Sequence, residues 1–254
     1  MMDADSRRKN IVDELKQHGT VRISQLSDKL NTTRETIRKD IYSLESEGAL
    51  KVIRGGATLP STVFETKYGQ RQSLLVEEKK KIAKTAVDLV EDGMSIFLDY
   101  GTTSFAVAEE LKRRNFLGIT VVTTSIHVID TLQYEDNIEL IALGGTLRKS
   151  EGSFSGPITL NAINGIFCNI GFFGSGGVDG DAGITNHYQN EIEVSKKMME
   201  HCKVKTVLAD HTKFGEVALY RTAGLDEIDK IITDTGFSDS QRRQLEASGA
   251  SLKY

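Results

Sequence analysis

Asp99 stands two residues ahead of Gly101-Thr102-Thr103-Ser104, and that short run leads directly into a helical pattern. A glycine followed by hydroxyl residues at a helix start gathers backbone N–H groups, hydroxyls and the positive end of the helix dipole around one point. Such a point suits a phosphate, and Asp99 beside it is placed to accept from a sugar hydroxyl. The same hydroxyls also serve as plain helix caps, but other turns of the chain weigh toward the cradle. Gly144 and Gly145 permit close backbone approach. Arg148 can reach an anion or pair with Glu151. Glu191 opens a helix, where the dipole favours a carboxylate. Lys213, in DHTKFG, is a cation at a strand end or a solvated loop lysine.

A second concentration of chemistry is TTRETIRKD, from Thr32 to Asp40, where three cations surround the single apolar residue Ile37. On a helix, Ile37, Ile41 and Leu44 share one face. Burying that face leaves Thr33, Arg34, Thr36, Arg38 and Lys39 on or near the exposed side, toward the helix N-terminus. That end of a helix-turn-helix enters the major groove, where Arg reads guanine edges while Thr, Lys and the helix N-terminus hold phosphates. The plainer alternative is a solvated face with Glu35 paired to Lys39.

The flanking elements support the groove-reading choice. Ile11, Val12 and Leu15 predict a first helix stopped at Gly19, and Ile23, Leu26 and Leu30 predict a second with Ser24 as N-cap. NTT, which contains Thr32, is a tight turn, and Thr33 begins a third helix ended by Gly48. In ALKVIRGGATL the alternation before Gly55-Gly56 predicts a two-stranded wing on which Lys51 and Arg54 touch phosphate. Residues 1–57 are therefore expected to form a winged helix-turn-helix domain. Residues 58–76 show weak periodicity and are expected to be a linker, and residues 77–254 a second domain.

That second stretch begins with an amphipathic segment carrying Ile82, Ala86 and Leu89. Apolar runs (MSIFLDY, ITVVTTS, IELIALGG, CNIGFFGSGG, KTVLAD, DKIITD) then alternate with helix-like segments, the last of them SQRRQLEAS. Continuous apolar strands separated by helices imply an α/β domain with a mostly parallel sheet. In such a sheet ligands bind beyond the carboxyl ends of the strands, where the polar turns collect. Phe172 and Phe173 are expected in the core.

Bulk properties narrow the choices. The chain has 254 residues, 39% hydrophobic and 27% charged, which suits an ordinary folded protein of two domains. Its net charge of −4 hides an asymmetry: residues 1–60 hold 11 Lys/Arg against 9 Asp/Glu, and the rest 21 against 27. A nucleic acid, if bound, belongs to the front end. No apolar run reaches the length of a membrane helix, and the start lacks the apolar core of a signal peptide, so a cytoplasmic protein without a membrane partner is expected. Cys168 and Cys202 have no metal-ligand spacing and read as small core residues.

The span from Arg7 to Ala57 resembles the N-terminal domain of the DeoR family of bacterial transcriptional regulators, with T-R-E-T-I-R-K-D on the third helix and L-K-V-I-R-G-G-A on the wing. Arg54 replaces the histidine usual before the Gly-Gly pair. D-Y-G-T-T-S, G-G-T-L-R, G-G-V-D with G-I-T, Glu191 with K-K-M, and D-H-T-K-F-G resemble successive blocks of that family's effector domain. The resemblance implies a fold like that of sugar-phosphate isomerases. It also implies a phosphorylated sugar or sugar alcohol as effector, a double-stranded DNA operator as partner, a homo-oligomer (dimer or tetramer), and no cofactor. It assigns the phosphate to Gly101, Thr102, Thr103 and Ser104, lined by Asp99, Arg148, Glu191 and Lys213, with Thr124, Gly144, Gly145 and Gly176 in the adjoining turns. Thr123-Thr124-Ser125 departs from the family's Thr-Asn, which bears on the sugar accepted. The rival expectation is a sugar-phosphate isomerase with an accessory DNA-binding module, for which Asp99, Asp179, Glu191, Lys213 and His211 supply acid and base types. A third is a DNA-binding protein whose α/β domain only dimerises.

Overall fold

The computed structural model describes residues 3–18, 20–46, 49–58, 68–236 and 252–253. The chain divides into two compact units, Met1–Leu74 and Leu75–Tyr254. Gly19, Gly48, most of the expected linker and the SQRRQLEAS segment lie outside the described residues.

In the first unit the order is α1 (Ala4–His18), β1 (Thr20–Arg22), α2 (Ile23–Lys29), α3 (Arg34–Ser46), β2 (Lys51–Ile53), β3 (Gly56–Thr58) and α4 (Tyr68–Ser73). Ile11, Leu15, Leu26, Ile37, Ile41 and Leu44 meet with Val21, Leu50 and Ala57 in one core, as the helical spacing predicts. Asn31 turns the chain between α2 and α3 at φ +45°, a left-handed conformation that asparagine tolerates. The wing differs from expectation in having three strands, ordered β1-β3-β2, because TVR pairs antiparallel with GAT. Ser24 is not the N-cap of α2: the helix begins at Ile23, whose N–H donates to the Gly55 carbonyl at 3.0 Å. The wing turn thus supplies the acceptor that a capping side chain would otherwise provide. Within the weakly periodic stretch, Tyr68–Ser73 is helical with Tyr68 buried.

The second unit runs α5 (Val76–Val87), β4 (Ser95–Leu98), α6 (Thr102–Arg113), β5 (Ile119–Thr123), α7 (Ile126–Leu132) and β6 (Ile138–Ala142). The hairpin β7 (Thr146–Arg148) and β8 (Ser153–Ser155) follows, then α8 (Pro157–Ile163), β9 (Cys168–Gly174), β10 (Gly177–Asp179), β11 (Gly183–Asn186) and α9 (Gln189–Glu200). β12 (Cys202–Leu208), β13 (Tyr220–Ala223), β14 (Lys230–Ile232) and β15 (Leu252–Lys253) complete it. The main sheet is parallel throughout, in the order β15-β14-β12-β9-β4-β5-β6.

Strand alternation sends Ile96, Leu98, Val121 and Phe172 to one face, under α5, α6 and α7. Phe97, Val122, Phe173 and Val207 go to the other, under α8, α9 and the small antiparallel sheet β10-β11-β13. Both phenylalanines are therefore core, as expected. Cys168 and Cys202 are free thiols set opposite each other on β9 and β12, and burial pushes them up to about 12 and about 11.

From β4 the chain proceeds to β5 and β6 on one side, then crosses to β9, β12 and β14 on the other. This reversal opens a crevice at the carboxyl ends of β4 and β9, where open α/β sheets bind ligands.

Candidate functional site

Five consecutive strand ends of the parallel sheet carry the residues picked out from the sequence. In sheet order these are Lys213 after β12, Gly176 after β9, Asp99 to Ser104 after β4, Thr124 after β5, and Gly144-Gly145 after β6. Gly101 is the N-cap of α6, at φ +105° and with no neighbour within 4 Å of where a Cβ would stand. No side chain caps this helix, and the N–H groups of its first turn have no acceptor within the helix.

Beside this helix start lies a chain of buried polar contacts. Asp99 and Glu191 are each 1% exposed. Ser195 Oγ donates to Asp99 Oδ2 at 2.9 Å and also lies 3.1 Å from the Glu191 carbonyl oxygen. One Glu191 carboxylate oxygen accepts from Arg148 at 2.5 Å, and the other accepts from Ser153. The Arg148 guanidinium also lies over the Tyr188 ring, 4.6 Å from its centroid. Arg148 therefore pairs across the fold with Glu191. The sequence-adjacent alternative, Glu151, is itself buried.

The β7-β8 hairpin is held on two sides. Arg148 and Ser153 bind α9, while the Phe154 N–H donates to the Thr124 carbonyl at 2.9 Å and the Ile126 N–H to the Gly152 carbonyl at 2.7 Å.

Among the described residues, Asp99 Oδ1, Ser104 Oγ and Thr124 Oγ1 are buried without a hydrogen-bond partner. Buried polar atoms are ordinarily satisfied. Three orphans, two on neighbouring strand ends and one in the first turn of the uncapped helix, are what a polar ligand would complete. Burial pushes the Asp99 carboxyl up to about 7, with the nearby Glu191 charge adding to the effect and the Tyr100 and Gly174 amides and Ser195 opposing it.

Other candidates are occupied locally. A Cβ on Gly145 would stand 2.1 Å from Thr159 Oγ1, so the close approach made there is to α8. Thr159 also donates to the Gly144 carbonyl at 2.8 Å. Gly176 packs against His187 and donates its N–H to the Thr185 carbonyl. Asp179 accepts from the Asp181 and Ala182 N–H groups in its own turn, which hold its carboxyl below the usual range. His211 is a hydrogen-bonded loop histidine, its Nδ1 2.8 Å from Asp234 Oδ2. Lys213 is half-buried and joins none of the bonds around Glu191.

Sequence reading does not find Ser195, Ser153 or Tyr188. Ser195 lies one helical turn beyond Glu191, a spacing that could have shown it. Ser153 and Tyr188 are brought in by a hairpin and a helix start that carry no periodic signal.

On the first unit, α3 presents Arg34, Arg38 and Lys39 exposed and Thr36 partly so, Thr32 is partly exposed in the turn before it, and Lys51 and Arg54 are exposed on the wing. Thr33 caps α3 by accepting from the Thr36 N–H at 3.2 Å. Glu35 pairs with Arg38 at 2.8 Å, rather than with Lys39, in an exposed contact of small energetic weight. Asp40, on the inner face, is clamped by Arg7 of α1 at 2.5 and 3.1 Å, a contact that sequence reading also misses.

Residues 7–63 match the family described as the DeoR-like helix-turn-helix domain, and residues 75–235 the DeoR C terminal sensor domain. The chain is 35% identical to the HTH-type transcriptional repressor GlcR of Bacillus subtilis (strain 168), covering 92% of this chain and 89% of that one. It is 29% identical to the glycerol-3-phosphate regulon repressor of Escherichia coli (strain K12), over 92% of each. Among solved structures, ribose 5-phosphate isomerase A of Methanocaldococcus jannaschii aligns with 56% of this chain and 53% of its own, at 25% identity and a TM-score of 0.40.

Proposed function

Since this chain belongs to the DeoR family, we propose that it is a sequence-specific DNA-binding regulator of a carbohydrate-utilisation operon, acting as a repressor controlled by a phosphorylated sugar or sugar alcohol. Residues 1–57 read the operator, 58–76 join the parts, and 77–254 sense the effector and assemble the homo-oligomer. Arg34, Arg38 and Lys39, with Thr32, Thr33 and Thr36, meet the major groove, while Lys51 and Arg54 meet phosphate. Two or more such units act together on repeated half-sites, because one small winged helix buries too little surface for tight specific binding. The protein works in the cytoplasm; no described helix is long and apolar enough to cross a membrane.

One observation carries the sensing role: the uncapped start of α6 lies beside buried Asp99, Ser104 and Thr124 atoms that lack partners. A phosphate ester suits it, its anion meeting the α6 N–H groups and its hydroxyls meeting the orphans. Ligand binding shifts DNA affinity by no more than its differential affinity for the two states, about 1 to 3 kcal/mol.

The test is a thermal-shift screen with glycerol 3-phosphate, glucose 6-phosphate, ribose 5-phosphate and sugar alcohols, followed by operator binding at fixed salt. A hit that changes DNA affinity supports the reading. Thr102→Val with Thr103→Val is expected to remove the response while DNA binding persists, and Arg38→Ala to weaken specific DNA binding by about 1 to 3 kcal/mol with effector binding retained. An unchanged operator affinity in Arg38→Ala would overturn the placement of α3. A second reading, isomerase action, is favoured by Asp99, whose carboxyl titrates near neutrality as a general base requires. Conversion of a hit to product would establish it in place of pure sensing.

A further inference from the structure

We infer that binding of a phosphate dianion at the start of α6 draws a proton onto the buried Asp99–Glu191 carboxylate pair, so that ligand is held more tightly at pH 7 than at pH 8.5. This rests on the reading of the site as one for phosphate esters.

The two carboxylates are unequally supported. Both oxygens of the Glu191 carboxylate are taken, by Arg148 and by Ser153. Asp99 has no cation; its Oδ2 accepts from the Ser195 hydroxyl, the Tyr100 and Gly174 amides also favour its charged form, and its Oδ1 has no hydrogen-bond partner. Further charge at this end of the sheet is carried by Glu151 of the β7-β8 hairpin and by Asp210 and Lys213 after β12. α9 contributes Ser195 and Glu191, and Arg148 is bonded to Glu191. β5, β9 and the first turn of α6 bring no acidic or basic side chain to this end, and the thiol of Cys168 lies at the opposite end of β9. Within the bonded group there are thus two carboxylates against one guanidinium, with both carboxylates buried.

A dianion arriving a few residues away adds like charge where screening is weak. The α6 amides stabilise the phosphate. Taking a proton from solvent onto the free Asp99 oxygen removes the repulsion, because like charge and burial both favour the neutral form. It also changes the bonding capacity of that oxygen: an ionised carboxylate only accepts, whereas the acid donates. The protonated Asp99 can then donate to a ligand oxygen. The opposite arrangement, with Asp99 accepting from a sugar hydroxyl, would favour the charged form and release a proton. The sign of the proton exchange therefore decides between the two.

Isothermal titration calorimetry of the full chain at pH 8, in Tris and in HEPES, measures that sign. Glycerol 3-phosphate, glucose 6-phosphate and ribose 5-phosphate are suitable probes, since phosphate monoesters with a second ionisation near about 6 are dianions there. For a probe that binds, close to one proton taken up per site is expected, with affinity falling by up to about tenfold per pH unit above neutrality. Asp99→Asn, which mimics the neutral acid, should bind with a buffer-independent enthalpy and little change between pH 7 and 8.5; the wild-type measurement stands without it. Binding with no proton exchange, or with proton release, overturns the inference and leaves the phosphate site intact. No binding by any of the three overturns the site reading, and the inference with it.

Discussion

Asp99 and Glu191 are buried alike, yet their surroundings make them behave differently. Glu191 has a guanidinium and a hydroxyl, so its charge is matched where it lies. Asp99, supported by one hydroxyl and the Tyr100 and Gly174 amides but no cation, is pushed up to about 7 by burial. The linkage has a definite sign. Between the unfolded value, 3.8, and the folded value the native state keeps a proton that the unfolded chain has released. Stability from this group is therefore greatest at low pH and is lost as pH rises toward 7. Asp99→Asn removes the dependence. Relative to wild type, the variant is expected to gain on the order of 2 to 3 kcal/mol between pH 5 and pH 8, as measured by urea midpoints at the two pH values. A constant difference would mean that Asp99 is ionised throughout.

At the scale of elements, α3 is fixed from both ends and from its inner face. Thr33 caps its start, Asp40 is gripped by Arg7 of α1, and Glu45 accepts from the Val52 N–H at 2.7 Å, tying its last turn to the wing. Gly56 is required where β3 passes β1, because a Cβ there would stand 1.9 Å from the Val21 carbonyl oxygen. These contacts aim the exposed cations without using them. Thr33→Ala, which removes the cap, should lower the stability of the first unit by about 1 kcal/mol, read as faster amide exchange in the first turn of α3. Exchange rates equal to wild type there would show that Thr33 caps nothing in solution.

Over the whole molecule, charge is divided: the first 60 residues carry 11 Lys/Arg against 9 Asp/Glu, the remainder 21 against 27. A DNA partner is attracted to one unit and repelled by the average of the other, so attraction depends on few contacts and on ionic strength. Replacing Lys51 and Arg54 together by Ala should flatten the plot of log affinity against log salt by roughly 2 units, about 0.9 per phosphate contact. It should weaken binding to specific and nonspecific DNA alike. A slope equal to wild type would place the wing away from the phosphates.

The periodicities of this sequence were enough to determine the three front helices and their shared core. Ile37, Ile41 and Leu44 can be buried together on a helix in only one way, and that burial exposes Arg34, Arg38 and Lys39. The alternation of apolar strands with helices likewise determined a parallel α/β sheet, and the polar turns marked its carboxyl ends. Tertiary structure alone decided what those ends do to one another. Arg148 meets Glu191 across 43 positions because a hairpin folds back onto α9, and long-range ion pairs leave no trace in local spacing. The same holds for Ser153, for the Gly55 carbonyl that starts α2, and for Thr159, which claims the open approach at Gly145. Residue type and period set which groups are polar, charged or buried. Which of them are left without a partner, as Asp99, Ser104 and Thr124 are, depends on strand order and crossover, since a hydrogen bond requires a distance that sequence does not contain.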